Sequence, residues 1–138
     1  VKGWPPGEPE QYAPLLLDCV DHGGTAIGAF QEGALLGVAV TESRWIGSER
    51  DRLQLKFLYV DRGARGLGLG RTLFDHSVGI AGEAGARKLY VSATPSENTI
   101  DFYLRRGCRL ATELDPELLA LEPDDIHLEY EIPRHAET

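Results

Sequence analysis

Arg62-Gly63-Ala64-Arg65-Gly66-Leu67-Gly68-Leu69-Gly70-Arg71 decides the reading of this chain. Before it, Leu53 to Asp61 alternates, with Leu53, Leu55, Phe57 and Tyr59 on one face and Gln54, Lys56, Leu58 and Val60 on the other, as in a strand. After it, Leu69 to Ala84 places Leu69, Leu73, Phe74, Val78, Ile80, Ala81 and Ala84 on one broad side, as in a helix. A strand that ends in a glycine-rich turn and opens into a helix forms an anion site. The first helical turn has N–H groups without intrahelical partners, and the helix dipole favours negative charge there. Glycines let a phosphate approach the backbone, and Arg65 and Arg71 add cationic donors at the rim. The same glycines would also suit a loop that needs only turn geometry.

Charge points to the same place. The chain of 138 residues carries 14 Lys+Arg against 22 Asp+Glu, a net −8, which argues against a general nucleic-acid binder. Arg44 to Arg71 holds seven basic residues and three acids, a +4 island in an acidic chain that suits a small anionic ligand. Glu113 to Glu131 holds eight acids and no Lys or Arg, either a solvated face or an attractor for a cationic acceptor. The length suits one domain, 1–138, and no apolar run approaches the roughly 20 residues that cross a bilayer. Cys19 and Cys108 match no disulfide framework, and with the four scattered histidines they give no metal-ligand spacing. Two buried free thiols and a cytoplasmic setting are expected, with no metal, nucleic acid or membrane.

Outward from the loop, Val1–Gln11 reads as an irregular lead-in and Tyr12 to Val20 as a helix. Ala26 to Gln31, a Glu32-Gly33 turn and Ala34 to Trp45 read as a hairpin. Downstream come a strand over Lys88 to Thr94 and a helix to Arg106. Thr94 would cap that helix, Pro95 would take its first position, Glu97 would close a capping box and Gly107 would end it. A strand from Cys108 to Glu113, a short helix opened by Asp115-Pro116 and a strand from Ile126 to Ile132 follow. In that last strand Ile126, Leu128, Tyr130 and Ile132 are expected inward, and His127, Glu129 and Glu131 outward. Hairpins first and strand–helix alternation later predict an α+β fold: a mostly antiparallel mixed sheet flanked by helices.

The P-loop pattern is absent, because no Gly-Lys-Ser/Thr occurs, and the dinucleotide pattern fails at Arg71. What remains is Arg-x-x-Gly-x-Gly at Arg65, Gly68 and Gly70. After a strand ending Leu58-Tyr59-Val60, it resembles the acyl-CoA-binding signature of the GNAT N-acetyltransferase superfamily. Asn98 followed by Phe102-Tyr103-Leu104-Arg105-Arg106-Gly107 resembles that family's second motif, and the likeness covers about 53–110 well.

The resemblance implies acetyl-CoA as cofactor, with the pyrophosphate on the backbone of Arg65, Gly66, Leu67, Gly68, Leu69 and Gly70 and Arg71 just beyond. It implies the pantetheine arm along Leu58 and Val60, and a cofactor contact at Asn98. Tyr103 falls where many members place a hydroxyl near the thioester sulfur, to protonate or hydrogen-bond the thiolate. The reaction implied is direct attack by an amine of a small molecule or peptide in a ternary complex. Gln54 and Lys56 stand where many members carry a carboxylate. Glu42 is therefore the leading base, Asp51 and Glu49 follow, and His127 is a further thought for the acceptor side.

The resemblance also implies a strand and a helix ahead of Tyr12–Val20, and Val1–Gln11 offers no such strand. A truncated chain, an irregular replacement, or a second copy completing the sheet edge would each account for that. Two other functions stay open: a non-catalytic acyl-CoA-binding or sensory module on the same fold, and an interaction domain whose loop holds another phosphate ligand or none.

Overall fold

The computed structural model describes residues 20–133. The lead-in Val1–Gln11, most of the helix read over Tyr12 to Val20, Cys19 and His135 lie outside them. Six strands form one mixed sheet in the order β1-β2-β3-β4-β6-β5. They are β1 (Thr25–Gln31), β2 (Ala34–Thr41), β3 (Arg52–Val60), β4 (Lys88–Ala93), β5 (Arg109–Leu110) and β6 (Ile126–Glu131). The helices are α1 (Leu69–Glu83), α2 (Glu97–Arg106) and α3 (Pro116–Leu121). This is the helix-flanked mixed sheet that the order of elements predicts. β3 pairs with β4 in parallel, whereas β1 with β2, β4 with β6 and β5 with β6 are antiparallel. The chain divides into two units, and β3 contributes to both: Lys56–Val60 to the first and Arg52–Leu55 to the second.

The first unit contains the β1–β2 hairpin, the end of β3 and α1 as far as Ile80. Gln31 pairs with Ala34, leaving Glu32-Gly33 as a two-residue loop with both φ angles positive, 51° and 83°. That is the turn whose twist matches the flanking strands. Leu73, at 3% exposure, and Phe74, at 1%, are the buried anchors of α1, and Ser77 is buried with its hydroxyl donating to the Leu73 carbonyl at 2.9 Å. Gly37 on β2 is there for space. A β-carbon at this position would sit 2.9 Å from Leu73 Cδ1 and 3.1 Å from the Tyr59 carbonyl oxygen. Gly37→Ala is therefore expected to destabilise the protein by about 1–3 kcal/mol, read as a lower urea midpoint, because a well-packed interface cannot absorb a methyl without shifting.

The second unit holds β4, β5 and β6, the start of β3, α2 and α3. The β3–β4 register runs from Arg52↔Lys88 to Leu55↔Val91 and ends there. Ile46, Tyr90 and Leu118 form a buried apolar cluster with Ala111 against it.

Three expectations are corrected in this unit. Ser96, not Thr94, caps α2, accepting from the Thr99 N–H at 3.2 Å; this moves the helix start past Pro95. β5 is two residues rather than six, since the strand register with β6 covers only Arg109 and Leu110. His127 and Glu129 do not face outward: they are 5% and 0% exposed.

Partners explain the buried Glu129. Its Oε1 accepts from Arg52 Nη1 at 3.2 Å and from the Thr112 N–H and hydroxyl at 3.1 Å each. Its Oε2 accepts from Lys88 Nζ at 3.1 Å. Burial alone would raise the Glu129 pKa. The Thr112 N–H, Lys88 and the Thr112 hydroxyl outweigh it and hold the carboxyl below the ordinary range.

Candidate active site

In the first unit β3 leaves the sheet through Asp61, whose N–H donates to the Leu36 carbonyl at 2.7 Å, and one 3₁₀ turn over Arg62–Ala64. Gly66 and Gly68 then take φ of +89° and +82°, backbone that a side chain rarely adopts. A β-carbon at either position would meet nothing within 4 Å, so both glycines border open space. Gly68 stands immediately before α1, and its carbonyl accepts from the Thr72 N–H at 3.1 Å. The first turn of α1 holds no acid. Its first N–H groups and the dipole therefore face no carboxylate from their own turn. Arg71 is exposed on the same turn.

Arg65 folds back instead of reaching forward. Its Nε donates to the Val60 carbonyl at 3.1 Å, and its guanidinium carbon lies 5.9 Å from the Tyr59 ring centroid. Leu58 and Val60, both half-buried, lie beyond Leu55, where the β4 ladder ends. Their backbone is the stretch to which the pantetheine arm was assigned. Glu42, just past the end of β2, has one carboxylate oxygen 3.9 Å from Lys56 Nζ and the other accepting the Ser43 N–H at 3.0 Å. The loop, the β3 end and Glu42 thus belong to one unit. Reading the sequence for motifs missed both the Glu42–Lys56 pair and the Tyr59 ring beside Arg65. The signal for the pair was an acid just past the end of one strand and a base on the neighbouring one.

The second unit carries the other two assigned residues. Asn98 is exposed in the first turn of α2 and Tyr103 is buried, at 7% exposure. Five positions on a helix put them about 140° apart, so they address different surroundings. The Tyr103 ring meets Phe102 edge-on at 5.1 Å. Burial, and then the neighbouring Cys108, push the Tyr103 hydroxyl well above the usual phenol range, so it keeps its proton at any working pH. Burial likewise pushes the Cys108 thiol up to about 12, leaving it unreactive.

The remaining candidate bases differ. Burial alone would raise the Asp51 pKa. The Arg52 hydrogen bond at 2.9 Å and the Arg52 charge reverse that and hold the carboxyl below its ordinary value, which makes it a poor proton acceptor. Glu49 is exposed, and the buried His127 has both ring nitrogens in hydrogen bonds. Among the described residues no group of His, Cys, Asp and Glu could hold a metal ion, and no helix is long and apolar enough to cross a membrane.

Such a strand, glycine loop and helix start suit an anionic group. The family model described as "Acetyltransferase (GNAT) family" matches residues 2–108, and the chain belongs to that family. Its class of chemistry is N-acetyl transfer, and its cofactor is acetyl-CoA.

A nourseothricin acetyltransferase is similar at 25% identity, covering 82% of this chain and 68% of that one, with a TM-score of 0.66. An aminoglycoside 6'-N-acetyltransferase complexed with coenzyme A is 16% identical over 94% of this chain and 87% of that one, with a TM-score of 0.72. The PaiA N-acetyltransferase from Thermoplasma acidophilum, in complex with coenzyme A, is 19% identical over 89% and 74%, with a TM-score of 0.66. The last two likenesses concern the fold alone. A comparison with curated proteins finds no match.

Proposed function

We propose that this chain, acting as one domain, acetylates a primary amine of a small molecule or peptide by direct attack of the amine in a ternary complex. The observation that carries the reading is the loop: two positive-φ glycines bordering open space before a helix start that holds no acid. Acetyl-CoA supplies an acetyl thioester when bound. The Arg65 N–H is spent on the Arg62 carbonyl at 3.3 Å, so the N–H groups from Gly66 to Gly70 hold the pyrophosphate, with Arg71 as an exposed counter-charge. The Leu58 and Val60 backbone aligns the pantetheine arm, and Asn98 adds a polar contact to the cofactor. Glu42, held beside Lys56, takes the proton of the attacking amine. Tyr103, which keeps its proton, donates a hydrogen bond to the departing thiolate.

Thiol release from acetyl-CoA against a panel of amines tests the activity. The expected outcome is release that depends on at least one amine. Tyr103→Phe tests the donor: turnover should fall by roughly 100-fold while coenzyme A binds as before. Unchanged turnover in that variant removes Tyr103 from the reaction.

A second reading, a non-catalytic acyl-CoA-binding module, draws on Gln54 and Lys56. β3 offers an amide and a cation where a base is wanted, and Lys56 ties down Glu42. Coenzyme A binding with no amine-dependent release would favour it.

A further inference from the structure

α2 presents solvent with a face that mixes acids and hydrocarbon. Glu97, Ile100, Asp101 and Leu104 recur at the i, i+3, i+4 and i+7 spacing that lines one side of a helix. The sheet does not cover that side. Tyr103 is buried, whereas Leu104 is 51% exposed and Glu97 and Asp101 are exposed as well.

Ile126 stands across from this face. It opens β6 opposite Ala93, the last residue of β4, and so lies beside the turn over Thr94–Ser96 that leads into α2. Pro95, Ile100, Leu104 and Ile126 thereby line one groove of about 400 Å³, with Glu97 and Asp101 on its wall. That volume suits a small molecule, and the four apolar residues suit a hydrocarbon body. Asn98 and Tyr103 project roughly 110° to either side of the middle of this face, and the groove takes in neither.

Charge decides what the groove accepts. Glu97 is in the first turn of α2, Asp101 is one turn on, and Asp124 and Asp125 immediately precede Ile126. Asp125 accepts from the Ser92 hydroxyl at 3.0 Å. Arg105 is the base on this side of α2, and its Nε donates to Asp101 at 2.7 Å. Arg106 leans instead over the Phe102 ring, 5.2 Å from its centroid. The helix start does not reverse the balance, because Ser96 Oγ accepts the Thr99 N–H at 3.2 Å and Glu97 answers the dipole. An anion would meet like charge here. A neutral apolar body would gain burial alone, and a cation on such a body gains burial and attraction together.

We propose that the groove between α2 and the start of β6 binds a small organic cation, an ammonium group carried on an apolar body. The body lies against Ile100, Leu104 and Ile126, and the ammonium lies toward Glu97 and Asp101. The site does not depend on the acetyl-transfer reading, since α2 and the facing ends of β4 and β6 build it by themselves.

Methyl NMR of the whole chain, titrated with hexylamine, hexanol and hexanoate, tests it. The three probes share one apolar body and differ in charge at neutral pH. Hexylamine should shift the Ile100, Leu104 and Ile126 methyls together and saturably. It should bind roughly fivefold more tightly than hexanol, and lose that margin as salt rises. Hexanoate should bind more weakly than either. Glu97→Gln changes an exposed position, so the fold tolerates it. It should cut the margin of hexylamine over hexanol by about half and leave hexanol binding as it was. Equal affinity for hexylamine and hexanol in the unaltered protein overturns the proposal. So does the absence of saturable hexylamine binding, and so does binding that leaves the Leu104 and Ile126 methyls unshifted.

Discussion

Gly68→Glu should abolish coenzyme A binding while the chain still folds. The position has φ of +82°, so any side chain there costs about 1–3 kcal/mol of backbone strain, a loss most domains survive. The effect on binding is far larger. The new side chain points into the space that Gly66 and Gly68 border, and its carboxylate takes the N–H groups and dipole field of the α1 start. A phosphate would then meet a like charge where it now meets donors. Ligand at about 100 times its dissociation constant should stabilise the unaltered protein by roughly 2.7 kcal/mol, and the variant by nothing measurable. Gly68→Ala separates the two causes. It shares the strain without the charge and should weaken binding only partly. A Gly68→Glu protein that binds normally would show the pyrophosphate lies elsewhere.

Glu129→Ala removes about 3–5 kcal/mol of stability, because it leaves Arg52 and Lys88 without the carboxylate they share in the interior. Urea unfolding measures this directly. Glu129→Gln keeps the shape and loses the charge, so it should destabilise as well, though less where its amide oxygen still accepts from Thr112. The sign of the pH dependence follows from the depressed Glu129 pKa. The pair's contribution is fully present above the unfolded-state pKa and is lost as pH falls through the lower folded-state value. Stability of the unaltered protein should therefore drop below about pH 4, and the Glu129→Gln profile should be flatter there. A Glu129→Ala midpoint within error of the unaltered protein would mean the cluster is not a buried ion network.

The loop was legible because its constraints are local. Positive φ, a strand before and a helix after are all written within about ten residues, and no distant partner is needed to see them. β6 shows the opposite case. Its alternation reads as one inward and one outward face, yet β6 lies between β4 and β5, and neighbouring segments supply partners for the polar side. Arg52, Lys88 and Thr112 satisfy Glu129, and Tyr90 satisfies His127. None of these is near in sequence, so periodicity alone assigned both residues to solvent. β5 ended early for a related reason. The Ala111 N–H still meets the His127 carbonyl at 3.0 Å, but the Thr112 N–H goes to the Glu129 carboxylate instead of a backbone partner. The α2 cap was missed by two residues because Thr94 and Ser96 both suit the role, and only backbone geometry chooses between them. Tyr103 and Asn98 were found as a motif, but their unequal burial was not visible in it.

Calorimetric titration of the unaltered protein with coenzyme A and, separately, with pantetheine tests the proposed pyrophosphate cradle at Arg65–Arg71 most directly. The two ligands share the thiol arm and differ in the pyrophosphate and nucleotide. Coenzyme A should bind saturably, more weakly as salt rises, and pantetheine should bind more weakly by about two orders of magnitude. Equal affinity for the two, or no binding of coenzyme A at all, would contradict it.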